Sequence, residues 1–187
     1  MNRRSRKRLP WTYFDSLGWG GKRVDEDKAR AIVRRVGLEA TSELGETPLT
    51  VAAELGRVEM VRWLLDAGAD VEDVAPQKHF RPALCAAAYG KRPEVAAMLI
   101  NAGANLEACD SHSNTPLANA FVNCFCDPQP LASLLIANGA VVTERVRKLG
   151  ERWNAASFKT FLLRMNPCEK LNDTTEKVAA PDQKRIP

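Results

Sequence analysis

The residues best suited to chemistry in this chain of 187 residues lie in one short stretch. Cys109-Asp110-Ser111-His112 is followed by Cys124-Phe125-Cys126, a C-x2-H then C-x-C order of thiol and imidazole donors. Donors of these two kinds are the ligands of a tetrahedral zinc site. A second candidate is Gly18-Trp19-Gly20-Gly21-Lys22-Arg23, whose glycines and lysine superficially suggest a phosphate loop. The Walker pattern needs glycine where Ser16 stands and Ser or Thr where Arg23 stands, so the loop fails on both counts. His79 and His112 are the two histidines of the chain, and no G-x-S-x-G or H-E-x-x-H run occurs. Asp70, Glu72 and Asp73 cluster on a segment expected to be exposed, where a solvated charge run is the default reading. The expectation is a non-enzymatic protein without a cofactor.

Whether the thiols and the imidazole can meet depends on the elements between them, and those elements recur. Gly45-Glu46-Thr47-Pro48-Leu49-Thr50-Val51-Ala52-Ala53 returns as Arg81-Pro82-Ala83-Leu84-Cys85-Ala86-Ala87 and as Thr115-Pro116-Leu117-Ala118-Asn119-Ala120. Leu64-Leu65-Asp66-Ala67-Gly68-Ala69-Asp70-Val71 returns from Leu99 to Leu106 and from Leu135 to Val142. Pro48, Pro82 and Pro116 are spaced by 34 residues, and Gly68, Gly103 and Gly139 by 35 and 36. Self-similarity at this period marks a helix-pair repeat.

Thr47 and Thr115 can each cap a helix whose first residue is the following proline, where a missing N–H removes nothing useful. Alanines at 52, 53, 86 and 87 let neighbouring helices approach closely. Gly56 and Gly90 suit the turn that ends the first helix. The second helix presents Met60, Val61, Leu64 and Leu65, or Val95, Met98, Leu99 and Ile100, on one apolar face. Trp63 is expected in the core beside them. Gly68, Gly103 and Gly139 supply a left-handed residue to stop that helix. Each pair has a face it cannot hide alone, so the pairs must stack.

These phrases resemble the ankyrin repeat over about residues 42–142. The resemblance implies an all-α solenoid of stacked helix pairs with hairpin fingers, and repeats at about 42–74, 76–109 and 110–142. An N-terminal cap is expected over 10–41, with Trp11, Phe14 and Leu17 on one face and Asp25 capping a helix that Gly37 ends. A C-terminal cap is expected over 143–165, with a short helix over 143–149 and another over 154–165 carrying Ala155, Phe158, Phe161, Leu162 and Met165 on one face. The histidine that usually follows Pro-Leu is replaced by Thr50, Leu84 and Ala118, and Arg81 stands where threonine caps the other repeats. The third repeat carries an insertion, Phe125 to Pro130.

On this assignment Cys109 and His112 lie in the finger before a helix, and Cys124 and Cys126 at its far end. Ten helical residues span about 15 Å, too far for ligands that must each lie near 2.0–2.3 Å from one ion (approximate values). No metal is expected, and Cys85 and Cys124 are read as small buried hydrophobes. In proteins of this kind, partners lie in the concave groove of fingers and first helices. That implies a protein partner meeting Glu43, Leu44, Glu46, Glu54 and Leu55 in the first repeat. In the second it would meet Gln77, Lys78, Phe80, Ala88 and Tyr89, and in the third Ser111, His112, Asn114, Val122 and Asn123. Phe80 and Tyr89 are the aromatic candidates for anchors, with inter-repeat packing as the other reading of each.

Charge is concentrated at one end. There are 27 Lys and Arg against 23 Asp and Glu, and five of the cations are Arg3, Arg4, Arg6, Lys7 and Arg8. The 27 less those five leaves 22 against 23, a nearly neutral body. Residues 1–9 read as a disordered basic arm. It is either a solvated tail or a device for nuclear import, for an anionic or nucleic-acid contact, or for an acidic protein. A nucleus-directed or nucleic-acid-associated regulator is therefore the alternative to a protein-binding module. Residues 166–187 read as a disordered tail. Five cysteines is an odd count, and neither a signal peptide nor a membrane-length apolar run is visible. A monomer in the reducing cytoplasm is expected, with the nucleus as the other location.

Overall fold

The computed structural model describes residues 6–73, 81–122 and 127–165. Among them the regular structure is helical, apart from an isolated parallel bridge between Arg8 and Thr41. The helices are α1 (Trp11–Ser16), α2 (Glu26–Val36), α3 (Pro48–Leu55), α4 (Val58–Asp66), α5 (Ala83–Tyr89), α6 (Pro93–Asn101), α7 (Pro116–Phe121), α8 (Gln129–Ala137) and α9 (Glu144–Met165).

The starts of the helices follow the capping chemistry. The Thr47 hydroxyl accepts from the Thr50 amide ahead of Pro48, and Thr115 accepts from Ala118 ahead of Pro116. Asp25 accepts from the Lys28 amide in the same way. In α5 the cap position is Pro82, which offers no side-chain bond, and Arg81 turns to other partners. First helices pack in one row, α3 on α5, α5 on α7 and α7 on α9. Second helices form another row, α4 on α6 and α6 on α8. The first row meets through Ala52, Ala53, Ala86, Ala87, Ala88, Ala118 and Ala120, all buried. Bulkier Met60, Val61, Leu64, Val95, Leu99, Leu131 and Leu135 line the second row. Small side chains let the helices of the first row approach closely.

The two turn glycines differ in kind. Gly56 has φ +71, the left-handed value expected. Gly90 has φ −72, and the left-handed residue is Lys91 at φ +57. Gly90 is there for space, since a Cβ on it would lie 2.2 Å from the Glu54 carbonyl oxygen. Lys91 spans to the next repeat, its ammonium donating to the carbonyls of Asn119, Ala120 and Val122 at 2.9, 2.7 and 2.8 Å. These are carbonyls at the end of α7, where a cation is favoured.

The N-terminal unit is a helix pair of the same type. Arg57 donates from Nε to the Leu17 carbonyl at the end of α1, and Arg92 donates to the Glu54 carbonyl in α3. The burial pattern of α1 differs from the expected one. Trp11 is 55 % exposed, and Tyr13 is buried in its stead beside Phe14 and Leu17, with its hydroxyl donating to the Pro48 carbonyl. Trp63 is only half-buried, with the Arg34 guanidinium over its ring at 5.6 Å. At the other end, α9 is broken at Asn154, where the backbone is extended and the side chain accepts from the Ser157 amide. Its two parts fold on each other over Gly150, where a Cβ would stand 2.3 Å from the Phe158 ring. Phe158 meets Phe121 edge-on, and Phe161 and Leu162 are buried with it, closing the stack.

Candidate partner-binding face

The first finger is built by Ser42. Its hydroxyl oxygen accepts from the amides of Leu44 and Glu46, holding a tight turn that leaves Glu43 and Leu44 exposed and Glu46 half-buried. Glu54 and Leu55 end α3 and are half-buried. Arg81, at the base of the second finger, reaches Glu54 at 2.9 Å and lies over the Tyr89 ring with its guanidinium carbon 4.1 Å from the centroid. Burial pushes both the Glu46 and the Glu54 carboxyl above the ordinary range. Arg81 counteracts this at both, and Glu46 adds to the rise at Glu54. The first two repeats thus join Glu46, Glu54 and Tyr89 into one cluster about Arg81. In the sequence Arg81 reads only as a missing cap. The signal for its role was a cation one repeat beyond two glutamates of the same row.

In the third finger Ser111 is half-buried and His112 exposed, whereas Asn114 is 7 % exposed and belongs to the interior. The expectation that Asn114 meets a partner is therefore corrected. Asp110 is buried and accepts from the amides of His112 and Asn114 and from the Asn119 side chain, at 2.8, 2.9 and 3.0 Å. Burial alone would raise the Asp110 carboxyl, but these hydrogen bonds outweigh it and hold the group below its ordinary value. Asn114 also accepts from the Arg145 Nε at 2.7 Å. Ala88 is likewise buried between helices, whereas Tyr89 at that helix end is half-buried. Val122 is half-buried. Gln77, Lys78, Phe80 and Asn123 lie outside the described residues, as do Cys124 and Cys126.

Cys85 is buried, its thiol donating to the Ala108 carbonyl at 3.1 Å, and burial pushes that thiol well up. Cys109 is exposed. Among the described residues no group of three or more His, Cys, Asp or Glu side chains is arranged to hold a metal ion. Lys22 of the glycine loop is paired with Asp15 at 2.7 Å.

The basic arm is docked where it is described. The Thr41 amide donates to the Lys7 carbonyl and the Leu9 amide to the Thr41 carbonyl, at 3.0 and 2.8 Å, and Leu9 is buried. Arg6 binds Asp73 with two parallel hydrogen bonds of 2.8 and 2.6 Å, and Arg8 pairs with Glu43. The Lys7 ammonium donates to the Arg35 carbonyl. A free arm over residues 1–9 is thus corrected for 6–9, while Arg3 and Arg4 lie outside the described residues.

Residues 49–100 match a family model described as ankyrin repeats (many copies). A comparison with curated proteins finds no match. Among the described residues no helix is long and apolar enough to cross a membrane.

Proposed function

We propose that this chain, whose residues 49–100 match a family model of ankyrin repeats, is a non-enzymatic module binding a partner protein through the concave side of the stack. Repeats of this family generally serve protein–protein interaction. The observation that carries the reading is the cluster of Glu46, Glu54, Arg81 and Tyr89 where the first two repeats meet. It gathers an aromatic ring, a guanidinium and two half-desolvated carboxylates where the two repeats meet, which supports a binding surface there. Arginine and tyrosine are enriched among the few residues that dominate interface energies, and a row built jointly by two repeats is preorganised before a partner arrives. Glu43, Leu44, Leu55, Ser111 and His112 extend the face.

On this reading the protein acts as a monomer in the cytoplasm. The alternative of a nucleus-directed or nucleic-acid-associated regulator draws on the arm, but Arg6, Lys7 and Arg8 already have partners within the chain. An affinity for duplex DNA that falls steeply with salt would favour that alternative. Capture of a protein partner, with binding lost in Tyr89→Ala and kept in Arg62→Ala, tests the main reading.

A further inference from the structure

We propose that the acidic edge of the first two fingers, Thr41 to Glu43 with Asp73, is a docking surface for an extended arginine- and lysine-rich segment of a partner protein, and that residues 6–8 of this chain occupy it in the free state. The inference extends the protein-binding reading to a second place, the fingertips, and gives the partner a chemistry.

Three observations carry it. The first is charge. Residues 38–46 hold three acidic residues and no basic one, and residues 66–73 hold four acidic residues and no basic one. The second is a strand already seated there. The backbone of Lys7 to Leu9 brackets Thr41 with two hydrogen bonds, the pattern by which an extended peptide adds to an exposed edge. The third is side-chain recognition. Arg6 meets Asp73 in the forked geometry that suits guanidinium to carboxylate, and Arg8 meets Glu43.

The seated strand can be exchanged without unfolding the domain. Arg8 and Glu43 keep side-chain exposures of 67 % and 53 %, so their pair contributes little. Leu9 is buried and keeps its amide on the Thr41 carbonyl, so it anchors α1 when residues 6–8 lift away and leaves the Thr41 amide to the incoming backbone. An arm tethered at Leu9 holds a high effective concentration at the edge and competes with any incoming basic segment.

The test uses the full chain and a fluorescein-labelled peptide of sequence Arg-Arg-Ser-Arg-Lys-Arg, with binding read by anisotropy at low salt. Arg6→Gln with Arg8→Gln should bind the peptide about tenfold more tightly than the wild type, because the competitor is weakened. Adding Asp73→Asn and Glu43→Gln to that variant should remove the gain. Equal peptide affinity in wild type and arm variant, or indifference to Asp73→Asn, overturns the proposal. Should the arm variant fold poorly, saturating peptide on the wild type should still shift the amide resonances of Lys7, Thr41 and Asp73 and leave those of α9 in place. Absence of those shifts also overturns it. Partner binding that is sensitive to Tyr89→Ala but not to Asp73→Asn would retain the groove and discard this edge; the reverse would do the opposite.

Discussion

The guanidinium of Arg81 covers the ring of Tyr89 at 4.1 Å and reaches the carboxylate of Glu54 at 2.9 Å. One residue thus ties the second repeat to the first and holds Tyr89, one of the two aromatic anchor candidates, in place. A cation over an aromatic face in a half-buried setting contributes about 0.5–2 kcal/mol. In a double-mutant cycle, Arg81→Ala and Tyr89→Ala should show a coupling of that size in urea unfolding. Strict additivity would mean that the two do not act together.

Leu64, Leu99 and Leu135 are fully buried at matching places in α4, α6 and α8. Each change to alanine should cost about 2–5 kcal/mol, read as a fall in urea midpoint at constant slope. Unchanged midpoints in all three would contradict their equivalence.

Gly90→Ala isolates the close approach of two repeats. Its φ of −72 suits any residue, so backbone preference is not at stake. The added methyl would press on the Glu54 carbonyl, which belongs to backbone and cannot swing aside. A loss of about 1–3 kcal/mol or more is expected, measured by chemical unfolding. A neutral result would show that the helices do not approach as closely as described.

Asp110 sets a pH dependence. Its folded value lies below the ordinary 3.8, so its hydrogen bonds stabilise the fold above that pH and are lost as pH falls through the folded value. Asp110→Asn should therefore cost about 1–3 kcal/mol at neutral pH and progressively less below pH 3.8. Glu46 and Glu54 run the other way. Their folded values are raised, so their contribution is present below the ordinary 4.5 and lost as pH rises through the raised values. Unfolding of wild type and Asp110→Asn across the acid range checks the sign. A gap between the two that widens toward low pH would contradict it.

Much of this architecture was legible in the sequence, because its signals are local. Thr47 and Thr115 cap and Gly56 turns as their neighbours dictate, and Leu64, Leu99 and Leu135 precede glycines of positive φ. What escaped depends on neighbours a repeat away. Gly90 reads like Gly56 until the Glu54 carbonyl is beside it. Asn114 looks exposed in a polar finger, yet Asp110 and Arg145 draw it inward. Tyr13 rather than Trp11 is buried because its hydroxyl finds the Pro48 carbonyl, a pairing no helical period encodes. Residues 6–9 carry the composition of a tail, and distant Arg35, Thr41, Glu43 and Asp73 give them a seat.

The most direct measurement is calorimetric affinity for a captured protein partner, made on the wild type, Tyr89→Ala and Arg62→Ala with thermal melts of all three. Arg62 lies exposed on α4, paired only loosely with Glu59 at 3.8 Å, and serves as the control on the outer side. Concave-side binding predicts that Tyr89→Ala weakens the complex by about 2 kcal/mol or more, with the melt lowered only by the loss of its contact with Arg81, and that Arg62→Ala binds as the wild type does. Normal binding by Tyr89→Ala together with failure of Arg62→Ala would place the partner on the convex side and contradict the account.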